Sequence, residues 1–222
     1  MASVMFNYLP PKDTGLDILY EDTHLLVVNK PAGLLSVPGK GSDKQDCMIS
    51  RAQSEYPQAL ITHRLDMATS GILVMALDTE THSRMSQLFQ NRQVSKTYIA
   101  IVDGRPVEAE GKISLPLICD WPNRPRHRVD HELGKASTTL YKTLSYDEQA
   151  DTSRIQLTPI TGRTHQLRVH MQAIGHVILG DNLYADEANI KKADRLLLHA
   201  SEIHFKHPVN EQPIDIHCPA DF

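Results

Sequence analysis

A chain of 222 residues that is 41% hydrophobic and 23% charged is long enough to bury a sizeable core and too balanced in composition for a disordered segment or a coiled coil. Three widely spaced cysteines, Cys47, Cys119 and Cys218, argue against a disulfide framework or a clustered zinc site, and no apolar run approaches the ~18 residues of a membrane helix. With no basic, apolar leader at the N-terminus, the expectation is a soluble protein of the reducing cytoplasm, without a membrane partner. The net charge of −4 counts mildly against a polyanionic partner. Its distribution matters more: acidic residues gather in "SYDEQAD" (145–151) and "DNLYADEAN" (181–189), and basic ones in "RPRHR" (124–128), so a basic cleft on an acidic body is compatible with the sum.

In chain order, residues 1–15 with Pro10 and Pro11 suggest an extended arm. Two short strands are expected around Ile18–Tyr20 and Leu25–Asn29, joined by an "EDTH" turn. "KPAGLLSVPGKGSD" is broken by prolines and glycines and predicts a loop with one buried apolar step, and "DCMISRAQSEY" a short helix ending before Pro57. "GILVMAL" (71–77) is a continuous apolar run, as in a strand covered on both faces. Met85, Leu88 and Phe89 recur at helical spacing, and "SKTYIAIVDG" predicts a strand closing on Gly104. Residues 111–146 suggest a hairpin with a long basic tip; "SRIQLTPITGR" alternates, with Ile155 and Leu157 on one face. "THQLRVHMQAIG" predicts a helix with Thr164 as N-cap, a Leu167–Met171–Ile174 stripe and Gly175 as its stop. "RLLLHASEIHF" and "PIDIHCPADF" predict two last strands. Strands and helices intermingle without strict alternation, so the expected class is α+β, one domain over 16–222 with a mixed, mainly antiparallel sheet and peripheral helices and loops.

Two clusters stand out for chemistry. In "HRLDMATSG" a histidine, an arginine and an aspartate (His63, Arg64, Asp66) crowd against the start of an apolar strand. A carboxylate at a strand edge beside a cation can stay ionised when partly buried; an aspartate that caps the turn through Thr69 or Ser70 is the commoner use of these residues. In "GRTHQLRVH" a strand turns into a helix among Arg163, His165 and Arg168: a helix start beside an arginine attracts an anion, an arginine on an amphipathic helix usually lies at the surface, and one at the core border usually has a carboxylate partner. The spacings of the twelve histidines match no zinc pattern, and "MATSG" is no G-x-S-x-G elbow, so neither a metal nor a serine nucleophile is expected.

With "VVNKPAGLLSVPG" before these two motifs and "RLLLHA" after them, in this order, the chain resembles the RluA family of pseudouridine synthases from about Leu19 to its C-terminus. "LICDWPNRP" and the terminal "PADF" extend the likeness, and an S4-type RNA-binding module of the kind several relatives carry is not expected. The resemblance implies the pseudouridine synthase fold with an active-site cleft across the sheet, and isomerisation of uridines in 23S rRNA and the tRNA anticodon stem-loop by a monomer that needs no cofactor. It implies Asp66 as catalytic nucleophile, Tyr98 stacked on the target uracil, Arg168 paired with the Asp66 carboxylate, Leu167 on the pocket floor and Arg64 in the gap left by the extruded base. His63 and the basic tip Arg124, Arg126 and Arg128 would contact substrate. A non-catalytic RNA-binding module and an N-glycoside hydrolase that uses Asp66 are the competing classes. The first leaves the carboxylate unexplained, and the second would release free uracil.

Overall fold

The pattern of short apolar runs between turn residues folds, in a computed structural model, into β-strands with few helices; the structure describes residues 8–222. The first seven residues of the expected N-terminal arm lie outside the described residues. From residue 8 to 17 the arm is irregular, and Tyr8 fixes it: its hydroxyl donates to the Asp46 carbonyl at 2.9 Å and accepts from the Leu35 N–H at 3.0 Å.

The chain divides into two compact units, one ending at Ser86 and one beginning at Gln87. The first holds β1 (Ile18–Glu21), β2 (Leu25–Lys30), α1 (Met48–Glu55), β3 (Leu60–Ile61) and β4 (Ser70–Ala76), and most of α2 (Thr79–Gln90). β2 pairs antiparallel with β1 and with β4, and β3 adds to β4. The expected "EDTH" turn forms because the Asp22 carboxylate accepts the N–H groups of His24 and Leu25 at 2.7 and 2.8 Å. Every residue of β4 is buried, as its unbroken apolar run requires, and Leu25–Val28 of β2 is fully buried beside it. α2 covers the predicted helix, although it buries Thr81 and Met85 rather than the whole Met85–Leu88–Phe89 face.

The second unit holds β5 (Ser95–Asp103), β6 (Glu110–Ser114), β7 (Leu117–Cys119), β8 (His127–Val129), β9 (Thr138–Asp147), β10 (Thr152–Pro159), α3 (Gln166–Ala173), α4 (Glu187–Ile190), β11 (Leu198–Lys206) and β12 (Pro213–His217). Its sheet runs β12–β11–β5–β10–β9–β6, and each of these pairings is antiparallel. Ile155 and Leu157 on β10 are fully buried, as their alternation predicts. The long hairpin is β6–β9, and the connection between them carries a separate two-stranded ribbon, β7–β8, whose tip is the basic stretch. α3 starts one residue later than expected: its N-cap is His165, not Thr164, because His165 takes the left-handed φ of 55° that ends the preceding turn. β3 and α4 were not expected; two and four residues are too few to carry a readable period.

Candidate active site

Asp66 lies half-buried in the turn that leads into β4, a turn closed by the main chain where the Thr69 N–H donates to the Asp66 carbonyl at 3.1 Å. Its neighbours on both sides are pinned by the end of β2 and the loop that follows it. The Ser36 hydroxyl donates to the Leu65 carbonyl at 2.8 Å and accepts the Leu65 N–H at 3.1 Å. On the far side, the Met67 carbonyl accepts from Lys30 Nζ at 3.2 Å and from the Gly33 N–H at 2.8 Å. The position of Asp66 is therefore set by bonds that do not use its carboxylate, the arrangement that pre-organises a reacting group.

Lys30 is the residue of this cradle that sequence reasoning passed over as part of a loop. It is fully buried, and its ammonium meets three carbonyls, Pro31 at 2.8 Å, Leu34 at 2.7 Å and Met67 at 3.2 Å, one for each proton. Burial pushes its pKa down to about 7, against the upward pull of the Asp66 carboxylate. A lysine straight after the apolar "LLVVN" was the available signal, because a strand that enters the core carries its last side chain in with it. Of the other motif residues in this unit, His63 turns a ring nitrogen to the sheet: Nε2 accepts the Val74 N–H at 3.0 Å, and Thr62 Oγ1 donates to the Val74 carbonyl at 2.7 Å. The pair caps main-chain groups of β4 that β2 leaves over. Arg64 is exposed.

In the second unit, Tyr98 sits half-buried in the middle of β5, opposite Leu157 on β10 and Ala200 on β11. Arg168 and Leu167, in the first turn of α3, are 2% and 6% exposed. Arg168 has the buried carboxylate partner that its place at the core border demanded: Nε and Nη2 donate to the two oxygens of Asp181 at 2.7 and 2.6 Å, and Asp181 is itself fully buried. The same aspartate accepts the N–H groups of Leu183 and Tyr184 at 3.0 and 3.1 Å. Asp181 opens the acidic run 181–189, yet it is fully buried; its place at the head of "DNLY", where it caps a turn, is what takes it inside.

Tyr184 joins the helix to the basic ribbon. Its hydroxyl accepts the His127 N–H at 2.7 Å and meets His165 Nδ1 at 2.8 Å, while the guanidinium groups of Arg126 and Arg168 lie 5.4 and 5.2 Å from its ring centroid. Leu117, Val169 and Tyr184 bury a small cluster between ribbon and helix. Arg124, Arg126 and Arg128 are all exposed; Arg128 is engaged with Asp130 at 2.7 Å, and Arg124 stacks on Trp121. Backbone N–H groups of Leu133 and Glu132, with Arg128, hold the Asp130 carboxyl below its ordinary range. Among the described residues no group of three or more His, Cys, Asp or Glu is arranged to hold a metal ion.

This pinned aspartate precedes a buried strand, and an anchored arginine helix follows it in the chain; the family model for RNA pseudouridylate synthases matches both, over residues 24–173. The chain belongs to that family. It is 50% identical over 218 residues to the dual-specificity RNA pseudouridine synthase RluA of Escherichia coli K12, covering 98% of this chain and 99% of the relative. The protein of the same name from Vibrio parahaemolyticus is 50% identical over 221 residues, 98% of this chain and 88% of that one. Among solved structures, human RNA pseudouridylate synthase domain containing 1 superposes with a TM-score of 0.78 at 28% identity, over 95% of this chain and 86% of its own. Human RNA pseudouridylate synthase domain containing 4 gives 0.72 at 26%, over 91% and 88%. The resemblance carried by the motifs is borne out, with the pseudouridine synthase fold: the protein is an RNA pseudouridine synthase, an isomerase. No helix among the described residues is long and apolar enough to cross a membrane.

Proposed function

We propose that this synthase acts on two classes of RNA, 23S rRNA and the anticodon stem-loop of tRNA, as a cytoplasmic monomer. The observation that carries the reading is the 50% identity, spread over nearly the full length of both chains, to a relative named for dual specificity. Isomerisation breaks the N1–C1′ bond, turns the uracil and joins C5 to C1′. A proton leaves C5 and one is gained at N1, so the mass of the RNA is unchanged and no redox partner is required. Asp66 is the proposed nucleophile, attacking C1′ or adding to C6 of the base. Its fixed mount between Leu65 and Met67 supports that role, since a reacting carboxylate gains most from a position set by other groups.

The remaining roles follow from chemistry. Extruding a uridine costs a few kcal/mol of stacking, and an aromatic face returns about 1–3 kcal/mol, the part given to Tyr98. Arg64, exposed beside Asp66, is proposed to fill the vacated place. His63, tied to Val74, would act on substrate through the shape of the turn it holds. Arg168, locked by Asp181, is the proposed cation that keeps Asp66 ionised, with Leu167 beside it as an apolar floor. Arg124 and Arg126 are proposed phosphate contacts; Arg128 must first be released from Asp130. The test is to map pseudouridines, by carbodiimide-dependent stops in reverse transcription, in 23S rRNA and tRNA from a strain lacking the gene. Loss of modified positions in both RNAs, restored by the gene, is the expected result; loss in one RNA alone would refute dual specificity.

A further inference from the structure

The chain has a single tryptophan, Trp121, and it stands 65% exposed at the tip of the β7–β8 ribbon. An indole is among the side chains that gain most from leaving water, so an exposed one on a rigid mount calls for a ligand. The mount is rigid: the Asp120 N–H donates to the Arg126 carbonyl at 2.9 Å, the Asn123 N–H to the Asp120 carbonyl at 3.0 Å and the Arg126 N–H to the Asn123 carbonyl at 3.0 Å. Asn123 Nδ2 adds a bond to the Asp120 carboxylate at 3.0 Å, and Pro122 stiffens the turn. The Arg124 guanidinium lies 4.6 Å from the indole centroid, with exposed Arg126 two residues on. The tip end of β8 is tied to the start of α3 through Tyr184, which accepts the His127 N–H and meets His165, so the tip is presented and does not swing freely.

We propose that Trp121 is a stacking platform for an unpaired nucleobase of the substrate RNA, a base other than the uridine being isomerised, with Arg124 and Arg126 on the adjoining phosphates. The inference rests on the RNA-modifying function established above and names a recognition element for it. Any base offers a π-face to an indole, and a guanidinium stacked on that indole supplies the positive charge that the flanking phosphates need. Charge selects this partner over an acidic-face protein contact, because three arginines concentrate on this tip in a chain whose net charge is −4. Tyr98 lies half-buried in the centre of β5, whereas Trp121 projects from a ribbon tip, so the two aromatics serve different bases.

Because Trp121 is the only indole, the intrinsic tryptophan emission of the unlabelled protein reports on this site alone. A hairpin RNA with an unpaired loop, titrated into the wild-type enzyme, is expected to quench most of that emission in step with binding read from the anisotropy of labelled RNA. A fully paired duplex, at the same ionic strength, is expected to bind without comparable quenching. Trp121→Ala is expected to raise KM roughly five- to a hundredfold, the loss of one base stack, with kcat within about a factor of two, while Trp121→Phe retains most of the affinity. Emission that stays constant while RNA binds, equal quenching by the duplex, or an unchanged KM in the alanine variant would overturn the proposal. If pseudouridine forms while Trp121 stays silent, this inference alone fails; if wild-type enzyme forms no pseudouridine, the functional assignment fails with it.

Discussion

Removing the Asp181 carboxylate is expected to take from the buried Arg168 guanidinium its bidentate partner. Arg168 is 2% exposed and Asp181 fully buried, and their bidentate contact is supplemented by two backbone N–H groups on the same carboxylate. Breaking such a pair on one side costs about 3–5 kcal/mol, because the charge left behind cannot reach water. Against a typical total stability of about 5–15 kcal/mol, Asp181→Ala would shift the denaturation midpoint strongly at any pH where carboxylates are ionised. Arg168→Met is expected to cost a similar amount. The double variant Arg168→Met with Asp181→Leu buries no charge and should regain most of the lost stability while remaining inactive. The assay is urea unfolding of the four proteins of the cycle, with pseudouridine formation measured on each. A single Asp181→Ala variant within about 1 kcal/mol of wild type would refute the claim that this pair is the anchor of α3. A double variant with full activity would refute the proposed role of Arg168.

Two further perturbations test the cradle of Asp66. Ser36→Ala leaves both the N–H and the carbonyl of buried Leu65 without the hydroxyl, at a cost of about 1–3 kcal/mol in stability; kcat should fall more than KM rises, read from steady-state kinetics. Lys30 should impose its own pH dependence on stability. Its pKa is about 7 folded and near 10.5 unfolded, so between those values the unfolded chain holds more protons and stability rises with pH, by up to about 1.4 kcal/mol per unit from this group. Lys30→Met lowers stability throughout, since three carbonyls lose their donor, and it should flatten that rise when Tm is compared between pH 7 and 9.

Sequence patterns located most of this fold because burial and periodicity coincide in it. The unbroken "GILVMAL" run becomes the fully buried β4, and the alternation of Ile155 and Leu157 becomes one face of β10. The start of α3 was misplaced by one residue since a threonine is the ordinary cap, whereas the chain uses His165 in a left-handed conformation that its bond to Tyr184 offsets. The proposed site residues Asp66, Tyr98 and Arg168 come from motif resemblance; the groups that hold Asp66 and Arg168 in place do not. Ser36, Lys30 and Asp181 act through contacts 29, 37 and 13 residues away in the chain, and no local pattern encodes such pairings. Asp181 shows the limit well: the same "DNLYADEAN" run holds one fully buried ion-pair partner among exposed acids.

The most direct test of the central claim is pseudouridine formation by Asp66→Asn on a uridine-containing stem-loop that the wild-type enzyme converts. Asn preserves shape and the main-chain pinning of the turn, so RNA binding should stay close to wild type while conversion is abolished, with no free uracil released by either protein. Conversion at the wild-type rate would contradict the assignment of Asp66 as nucleophile, and release of uracil by the wild-type enzyme would contradict isomerisation itself.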